Sequence, residues 1–534
     1  MFYINNPKQL TLFDFWHFLG PKRRKMLELS WAGLFKKEIL CELPVAKLSS
    51  FFSRYFGRPT KELYTVLGVI LLQQAHDLTD EETVYQLAFN VQWHYALNIT
   101  NESDSAKYIS LKTLWNIRQT ATDKALDNII FDKIAKKLAV IFNVNPDKQR
   151  LDSVQIKSNM ARLGRIRIFA TTINKFLVNL KRSKKEHFES VDSKIVEKYL
   201  SEKAMGCFSM VKPTESNKTL YSVGKDLFEL VQQFKGCSKV VSMSSYKLLE
   251  RVLKEHCNIT ASDSNETVEI KKPKDIPSDS LQNPSDPDAT YSGHKGQGYQ
   301  VQVMETYTDT EDKNVKAKTL NLITHVEVEK ACQSDAQALI PAIESAEKRK
   351  LCPKELEADS LYGSDENCEA AKAKGVELVS PTMGTPGEGT ISLGDFEFLD
   401  NGHVAHCPKE HAPLALKKSK KSRYSQSFCL ETCAECPLVE DCPVKQGKKF
   451  YYLRYYSKEV RIAKRRAYEQ TDEFKERYRW RAGGEATMSE FDRRTGVKHL
   501  RYRRIKKVRF ATVLKAAAIN IFRANVVRMA IIPA

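Results

Sequence analysis

Three acidic residues lie where a folded chain can do chemistry. Asp359 ends an apolar and acidic run in "ELEADSLYGSDENC", just before a predicted turn, and Asp152 lies in "RLDSVQIK", which predicts a short strand. Glu485, in "YRWRAGGEATMSEF", opens a predicted helix. Three carboxylates brought together can hold two Mg²⁺ ions about 3.5–4 Å apart, the arrangement used for in-line displacement at a phosphodiester. Taken singly, an acid of this kind is more often a surface residue or a cap.

The elements that would carry Asp152 and Asp359 belong to an α/β sheet. Alternating residues in "GYQVQVMET" and "LNLITHVEVE" predict two strands, and "SDAQALIPAIESAEKRK" predicts a helix capped by Ser334 or Asp335. The strand of Asp359, a helix from Asp365 and a strand in "VELVSP" follow. Strands and helices in this order indicate an α/β fold interrupted by insertions.

The region before this sheet reads as helical. Apolar residues recur at three- and four-residue spacing, and Thr79 and Glu82 match a capping box that starts a new helix. A pair of helices of this kind suits DNA binding, although most such pairs are plain scaffold.

The length of 534 residues predicts three or four domains. We expect a helical N-terminal DNA-binding domain at 1–145, the first part of the α/β core at 146–400 with a helical insertion at about 160–257 and a linker at 258–287, a Cys-rich insert at 401–445, and the second part of the core with basic helices at 446–534.

Five cysteines lie between Cys407 and Cys442. Cys433 and Cys436 have the spacing of a zinc knuckle, and a pair of Cys or His residues from elsewhere would complete a tetrahedral site. The preferred ligands are Cys407, Cys433, Cys436 and Cys442, with Cys429, His406 and His411 as substitutes. Such a closed site would be structural, and the alternative is a set of reduced, unliganded thiols.

The charge balance favours a polyanionic partner. The chain has 85 Lys and Arg against 66 Asp and Glu, a formal net charge of +19, which favours nucleic acid and salt-dependent binding. The run "KHLRYRRIKKVR" from Lys498 to Arg509 would neutralise phosphates or form a solvated face. The sequence has no secretory signal and no apolar run of membrane-spanning length, so we expect a soluble cytoplasmic protein with reduced cysteines and no membrane contact.

Several motifs together resemble bacterial insertion-sequence transposases of the DDE type. Tyr478-x2-Arg481-x3-Glu485 is similar to their Y-R-E-K signature, but the expected lysine is replaced by Asp492, followed by Arg493 and Arg494. "LDSVQIKSNM" and "ADSLYGSDEN" resemble the first and second aspartate motifs, and "DPDATY...GHKGQGYQVQVMET" resembles the segment entering the second strand. "GRPTKELYTVLGVILLQQ...LTDEETVYQLAFNVQWHYAL" is similar to the helical N-terminal domain of these transposases.

The resemblance implies an RNase-H-like catalytic core, a mixed sheet with flanking helices. Asp152, Asp359 and Glu485 would be the ligands of two Mg²⁺ ions, with Mn²⁺ as a substitute, and Tyr478 and Arg481 would contact DNA near the cut phosphate. Asp286 and Asp288 are rival first carboxylates, and Glu490 is the rival of Glu485. The further residues expected at the DNA are Arg493, Arg494, Lys498, Arg501, Arg503, Arg504, Lys506 and Lys507.

The function implied is a transposase that binds the terminal inverted repeats of its own element, cleaves there and joins the ends to target DNA. A homodimer on double-stranded DNA in the prokaryotic nucleoid is expected, and no nucleotide cofactor, since the chain has no phosphate-binding loop motif. Three alternatives stay open: a transposase-derived DNA-binding protein without catalysis, a metal-dependent nuclease, and a zinc-bearing regulator.

Overall fold

A mixed sheet forms the centre of the molecule, and this confirms the predicted α/β class. The computed structural model describes residues 2–7, 14–201, 208, 211–262, 265–384, 391–418 and 423–532. The sheet has six strands in the order β4-β5-β1-β7-β8, and β6 also pairs with β5. These strands are β1 Lys148–Lys157, β4 Thr290–Ser292, β5 Gly296–Thr306, β6 Ile323–Lys330, β7 Glu355–Glu357 and β8 Glu377–Val379.

The sheet is antiparallel on one side of β1 and parallel on the other. Strand β5 runs antiparallel to β1, β4 and β6, whereas β7 runs parallel to both β1 and β8. Residues Gly298–Thr306 of β5 are all buried because both faces of the strand are covered. Val301 and Val303 point into one apolar core, and Met304 points into a second core on the opposite face, as the two-residue period of a strand requires.

The helices before the sheet pack on its first face rather than apart from it. They share one apolar core with β5, β6 and the long helix Ile505–Ile531. The predicted capping box is present, since the Glu82 carboxylate accepts from Thr79 N at 2.7 Å and Thr79 Oγ1 accepts from Glu82 N at 3.2 Å. The helices are Pro21–Leu29, Trp31–Leu34, Phe35–Ile39 (π), Leu40–Glu42 (3-10), Val45–Ser49, Leu63–Ala75, Asp80–Phe89, Val91–Ala96, Asp104–Lys107, Leu111–Asp123 and Leu126–Ile141.

The long helix is the centre of this first core. Lys515, at its midpoint, is fully buried and lies 2.8 Å from Asp77, which follows the helix Leu63–Ala75. Burial lowers the pKa of the Lys515 ammonium, and the Asp77 carboxylate opposes that shift. Among the described helices, Ile505–Ile531 alone has the length and composition to cross a membrane, but 78% of its apolar window is buried inside the protein. A core helix accounts for this apolar stretch.

Along the chain, a helical insertion with its own apolar core lies between β1 and the other strands of the central sheet. Its helices are Arg165–Ser183, Lys185–Glu189, Ser193–Leu200, Ser216–Phe234, Ser238–Val241 and Ser244–His256, with a 3-10 turn at Pro213–Glu215. The segment 258–287 was predicted as a linker, and this was wrong in its first part. A hairpin of β2 Cys257–Ser262 and β3 Asn265–Ile270 forms there, because Val268 and Ile270 pack against the core of the insertion.

The Cys-rich region forms a separate small sheet. Strands β11 Ala415–Lys418, β12 Arg423–Phe428, β13 Lys445–Gln446 and β14 Tyr451–Tyr456 pair in the order β11-β12-β14-β13, beside the hairpin of β9 Glu397–Phe398 and β10 Val404–His406. The sheet extends beyond the predicted end at residue 445, because Tyr451, Leu453 and Tyr455 alternate into its core.

The remaining helices connect these parts. The most important for the site is Gly483–Thr495, named the site helix, which carries Glu485 as predicted. The others are Lys313–Lys318, Asp335–Ala338 (3-10), Leu339–Lys348, Asp365–Ala373, Leu430–Ala434, Ser457–Glu469, Asp472–Tyr478 and Arg479–Ala482 (3-10), with further 3-10 turns at Pro273–Asp275, Leu393–Asp395 and Val497–His499.

A buried ion-pair network joins the sheet to the site helix and the long helix. Glu305 of β5 is 1% exposed, and its carboxylate lies 2.6 Å from Arg150 of β1 and 2.7 Å from Arg523 of the long helix. Thr487 of the site helix donates to the same carboxylate at 2.5 Å, and Arg523 also pairs with Glu490 at 2.8 Å. Burial acts to raise the pKa of Glu305, but the two guanidinium groups outweigh it and the pKa lies below its usual value.

Replacing the central carboxylate should destabilise the whole fold. In Glu305→Gln, two buried guanidinium groups lose their shared counter-charge, so we expect a loss of about 3–5 kcal/mol in the free energy of unfolding. Urea denaturation followed by circular dichroism measures this loss. The control is Asp147→Asn, which removes an exposed pair with Lys354 and should cost less than about 1 kcal/mol. Equal effects of the two variants would contradict a central role for Glu305.

Candidate active site

Asp152 lies on β1, and Asp359 follows the end of the adjacent parallel strand β7. The register pairs Arg150 of β1 with Glu357 of β7, and each aspartate lies two residues after its member of that pair. Arg481 Nη2 lies 3.3 Å from Asp152 Oδ2 and 4.0 Å from Asp359 Oδ2. The structure therefore brings two of the three predicted carboxylates within 4.0 Å of a single cationic group.

The two aspartates differ in their surroundings. The Asp152 side chain is 17% exposed, and burial raises its pKa. The Arg481 guanidinium and the Ser153 N–H lower the pKa of Asp152, while the charges of Asp359 and Asp335 raise it, so that the net shift is upward. Asp359 uses Oδ1 to accept from Leu361 N at 2.9 Å, the turn-capping contact, and Oδ2 faces Arg481. Burial is therefore the main cause that makes Asp152 a weaker acid than a free aspartate.

Gly483 allows the site helix to approach β1, and Gly484 beside it lies at ordinary contact distance from Asp152. A Cβ on Gly483 would lie 2.0 Å from Arg150 Nη1, and a Cβ on Gly484 would lie 3.6 Å from Asp152 Oδ2. Arg150 also donates to the carbonyl of Trp480 at 2.9 Å, which holds the start of this helix on the strand. Any side chain at position 483 would collide with Arg150, so the glycine serves close packing here.

Glu485 follows Gly484 in the first turn of the site helix and is exposed. The structure gives its carboxylate no hydrogen bond or ion pair with the described residues. Within the described ranges, no group of three or more Cys, His, Asp or Glu is close enough to hold a metal ion. The third ligand of the predicted triad therefore follows a glycine that lies close to Asp152, but its carboxylate has no contact with the aspartates among the described residues.

The rival carboxylates have structural partners instead. Asp286 is fully buried and accepts from the Tyr299 hydroxyl at 2.6 Å and from Arg504 N at 2.8 Å. Asp288 accepts from the first backbone N–H of the long helix at 3.0 Å. Glu490 pairs with Arg523, as described, and with Arg494 at 3.0 Å. Each rival carboxylate is therefore bound to groups other than Asp152 and Asp359.

Tyr478 and Arg481, predicted at the DNA, both lie at the acids. The Tyr478 ring stacks on Phe474 with a centroid distance of 5.4 Å, and burial raises the pKa of its hydroxyl, with Asp359 and Asp152 adding to that shift. The Arg481 guanidinium has its Nε buried without a hydrogen-bond partner among the described residues. The hydrogen-bonding capacity of the Arg481 guanidinium is therefore only partly used.

The basic residues predicted at the DNA divide into two groups. Some have partners within the protein: Arg494 pairs with Glu490, Arg501 lies 3.4 Å from Asp77, and Arg503 donates to the carbonyl of Asn159. Arg493, Arg504 and Lys506 are exposed, and Lys498 and Lys507 are partly buried. Asp492, in place of the expected lysine, accepts from Lys498 N at 3.0 Å and so closes the turn after the site helix.

The four preferred cysteines line one small pocket. Cys407, Cys433, Cys436 and Cys442 surround a cavity of about 30 Å³ together with His411, and Cys429 is not among its lining residues. Burial raises the pKa of the Cys433 thiol to about 11, and the neighbouring cysteines add to the shift. All described cysteines are free thiols. The four cysteines therefore lie close together, but no three of them within the described ranges are close enough to hold a metal ion.

Sequence reasoning missed two buried polar groups next to the aspartates. Lys295 pairs with Asp335 at 2.6 Å, and Glu357 accepts from the Tyr307 hydroxyl at 2.6 Å. Glu357 could have been found, since it lies two residues before Asp359 on the same face of β7. No local pattern joins Lys295 to Asp335, which the sequence marks only as a helix cap.

Glu357 is an acid that the fold keeps protonated at mildly acidic pH. It is 0% exposed, its Oε2 has no hydrogen-bond partner among the described residues, and burial raises its pKa from 4.5 to about 7. Between these two pH values the folded chain retains a proton that the unfolded chain releases, so stability falls as the pH rises from 4.5 to 7.

We expect Glu357→Gln to remove this pH dependence. The amide is neutral and can still accept from Tyr307, so the variant should gain stability relative to the wild type as the pH rises through 7. Thermal unfolding at a series of pH values gives the difference in Tm. A difference that stays constant over that range would contradict the assignment, and Glu366→Gln, at an exposed position, serves as the matched control.

Comparison with known families gives two matches. Residues 406–524 match a family described as Transposase DDE domain, and this stretch includes Tyr478, Arg481 and Glu485. Residues 37–120 match Transposase domain (DUF772), within the helices that precede the sheet. No curated protein and no solved structure matches the chain. Both family matches agree with the motifs around the carboxylates, and together they support an insertion-sequence DDE transposase.

Proposed function

We propose that this transposase binds the terminal inverted repeats of its own element and catalyses metal-dependent DNA cleavage and strand transfer. The observation that carries the proposal is the pair of aspartates on β1 and just after the adjacent parallel strand β7, both within 4.0 Å of the Arg481 guanidinium. The start of the site helix, with Glu485, packs against the same strand. The mixed sheet with helices on both faces supports an RNase-H-like core.

The donor set fits divalent metal ions. Asp152, Asp359 and Glu485 offer only carboxylate oxygens, which Mg²⁺ and Mn²⁺ prefer. The Arg481 guanidinium lies within 4.0 Å of both aspartates, so these carboxylates already have a cation as their neighbour. Metal ions bound by these residues would make an oxygen nucleophile at neutral pH and stabilise the leaving oxygen.

The residues of the chain would then act on the phosphodiester directly. Arg481, whose Nε has no hydrogen-bond partner among the described residues, would turn to the cut phosphate. Tyr478 would contact the DNA beside it. In cleavage, a water oxygen bonds to phosphorus and the bond to the 3′-oxygen breaks. In joining, the oxygen of that 3′-hydroxyl bonds to a target phosphorus, and the bond from this phosphorus to the 3′-oxygen of the target strand breaks. Cleavage consumes one water molecule and joining exchanges one phosphodiester bond for another, so no nucleotide cofactor is required.

DNA contact is proposed along the basic side of the site. Arg493 and Lys506 are exposed and have no hydrogen bond or ion pair with any residue the structure describes. Together with the net charge of +19 they favour a salt-dependent grip on DNA phosphates. Since two transposon ends must be cut in concert, we propose a homodimer on DNA, acting in the cytoplasm at the nucleoid.

Asp152→Asn, Asp359→Asn and Glu485→Gln should each abolish cleavage and joining. The assay uses an oligonucleotide carrying the element's end, with Mg²⁺ or Mn²⁺, and measures cut and joined products. We expect a loss on the order of 10²-fold or more in each variant, because each removes charge stabilisation from the transition state. DNA binding, measured in parallel, should persist. The control Asp472→Asn alters an exposed carboxylate and should retain activity.

The same assay separates the remaining candidates. Binding of the transposon end without any cutting by the wild type would favour a transposase-derived DNA-binding protein, which the Asp492 substitution keeps open. Cutting without joining would indicate a nuclease. Cutting that survives Glu485→Gln would remove Glu485 from the proposed ligand set.

We also propose a structural Zn²⁺ ion in the cysteine pocket. Thiolates are the donors that zinc prefers, and Cys407, Cys433, Cys436 and Cys442 line the same cavity at the edge of the small sheet. The ion would hold the loops around β11–β14 together, away from the carboxylates.

Metal analysis of the purified protein tests this site. The wild type should contain about one Zn²⁺ per chain, and Cys433→Ser should lose most of it and unfold the small sheet more readily. Cys429→Ser is the matched control, because Cys429 is close along the chain but is not among the residues lining the pocket, and it should retain the metal. A wild type free of zinc would contradict the proposal.

A further inference from the structure

We propose that Lys295 and Asp335 are positioning residues for the carboxylates of the active site. They set the geometry around Asp152 and Asp359 and balance the negative charge there, without touching DNA. The inference rests on the proposed function, since it concerns the same site.

Lys295 is held by three acceptors. Its Nζ lies 2.6 Å from Asp335 Oδ2, 2.7 Å from Gln300 Oε1 and 2.8 Å from Ser153 Oγ. An ammonium group has three donors, so all of them are used inside the protein. Lys295 lies directly before β5. Because its three donors are used within the protein, none remains for a DNA phosphate.

Asp335 is the buried half of the pair. Its side chain is 4% exposed, against 22% for Lys295, and it also accepts from Gln302 Nε2 at 2.8 Å. It opens the 3-10 turn Asp335–Ala338 that leads into the helix Leu339–Lys348. A buried carboxylate needs this compensation, because an unpaired charge in such a place is costly.

The pair connects to both segments that carry the aspartates. On one side, Lys295 fixes the hydroxyl of Ser153, whose own N–H donates to Asp152 Oδ1 at 2.8 Å. On the other side, Gln302 accepts from the Tyr362 hydroxyl at 2.5 Å, and Tyr362 N donates to the carbonyl of Asp359 at 3.1 Å. The network thus spans from β1 to the turn after β7 and limits the movement of both carboxylates.

The pair also places a positive charge beside the site. The ammonium of Lys295 balances the Asp335 carboxylate at 2.6 Å. Without that ammonium, the buried Asp335 carboxylate would lose its counter-charge, and the Ser153 hydroxyl next to Asp152 would lose its donor.

The test uses the full chain and three variants: Lys295→Met, the double variant Lys295→Met with Asp335→Asn, and the control Lys313→Met at an exposed position. Binding of Mn²⁺ is measured by titration calorimetry, independently of activity. Affinity for the transposon-end oligonucleotide, the rate of cleavage and Tm are measured beside it.

For Lys295→Met we expect Mn²⁺ affinity to fall by about tenfold, as for other outer-shell partners of metal ligands. The rate of cleavage should fall with it, while DNA affinity stays within about twofold of the wild type, since no phosphate contact is lost. The double variant removes both charges and should recover part of the Mn²⁺ affinity even if the single variant is less stable. Lys313→Met should match the wild type.

Three results would overturn the inference. Unchanged Mn²⁺ affinity and cleavage rate in Lys295→Met would show a lysine without influence on the carboxylates. A loss of DNA affinity that parallels the loss of cleavage would make Lys295 a DNA contact. If the wild type neither binds Mn²⁺ nor cuts DNA, the proposed function itself fails, and the inference fails with it; the first two results leave the proposed function standing.

Discussion

The buried carboxylate of Glu305 connects the central strand β1, the long helix and the site helix. It lies between Arg150 of the central strand and Arg523 of the long helix, and Thr487 of the site helix donates to it. A charge buried this deeply is tolerated only with such complete pairing. Because Arg150 also holds the carbonyl of Trp480, the same network sets where the site helix begins. The position of Glu485 relative to the aspartates therefore depends on a contact outside the site.

The charges around the aspartates follow a different logic. The Glu305 network is closed, with every charge paired, whereas Asp152 and Asp359 share one guanidinium whose Nε has no hydrogen-bond partner in the described part of the chain. A site that is fully satisfied by its own protein has little to gain from a ligand. The proposal that the carboxylates bind metal ions and that Arg481 turns to a phosphate builds on this unpaired nitrogen.

The helices before the sheet are part of the same core as the site. Lys515, fully buried in the long helix, pairs with Asp77, and Gln74 donates to the Tyr502 hydroxyl at 2.8 Å. DNA held by these helices would thus be held at a set distance from the carboxylates. The helical insertion, in contrast, has its own core and hairpin. It can vary without disturbing the sheet, as expected for a unit inserted between two strands.

The sequence by itself determined the α/β class, the helix that opens near Glu485, the strand that ends before Asp359 and the capping box at Thr79, since these depend on patterns of a few residues. Only the tertiary structure decided that Asp152 and Asp359 lie within 4.0 Å of one guanidinium, that Asp286 is a structural acid, and that a hairpin occupies part of the expected linker. Strand register and the pairing of buried charges join residues far apart in the chain, and no local period encodes them. The pairing of Lys295 with Asp335 is of this second kind.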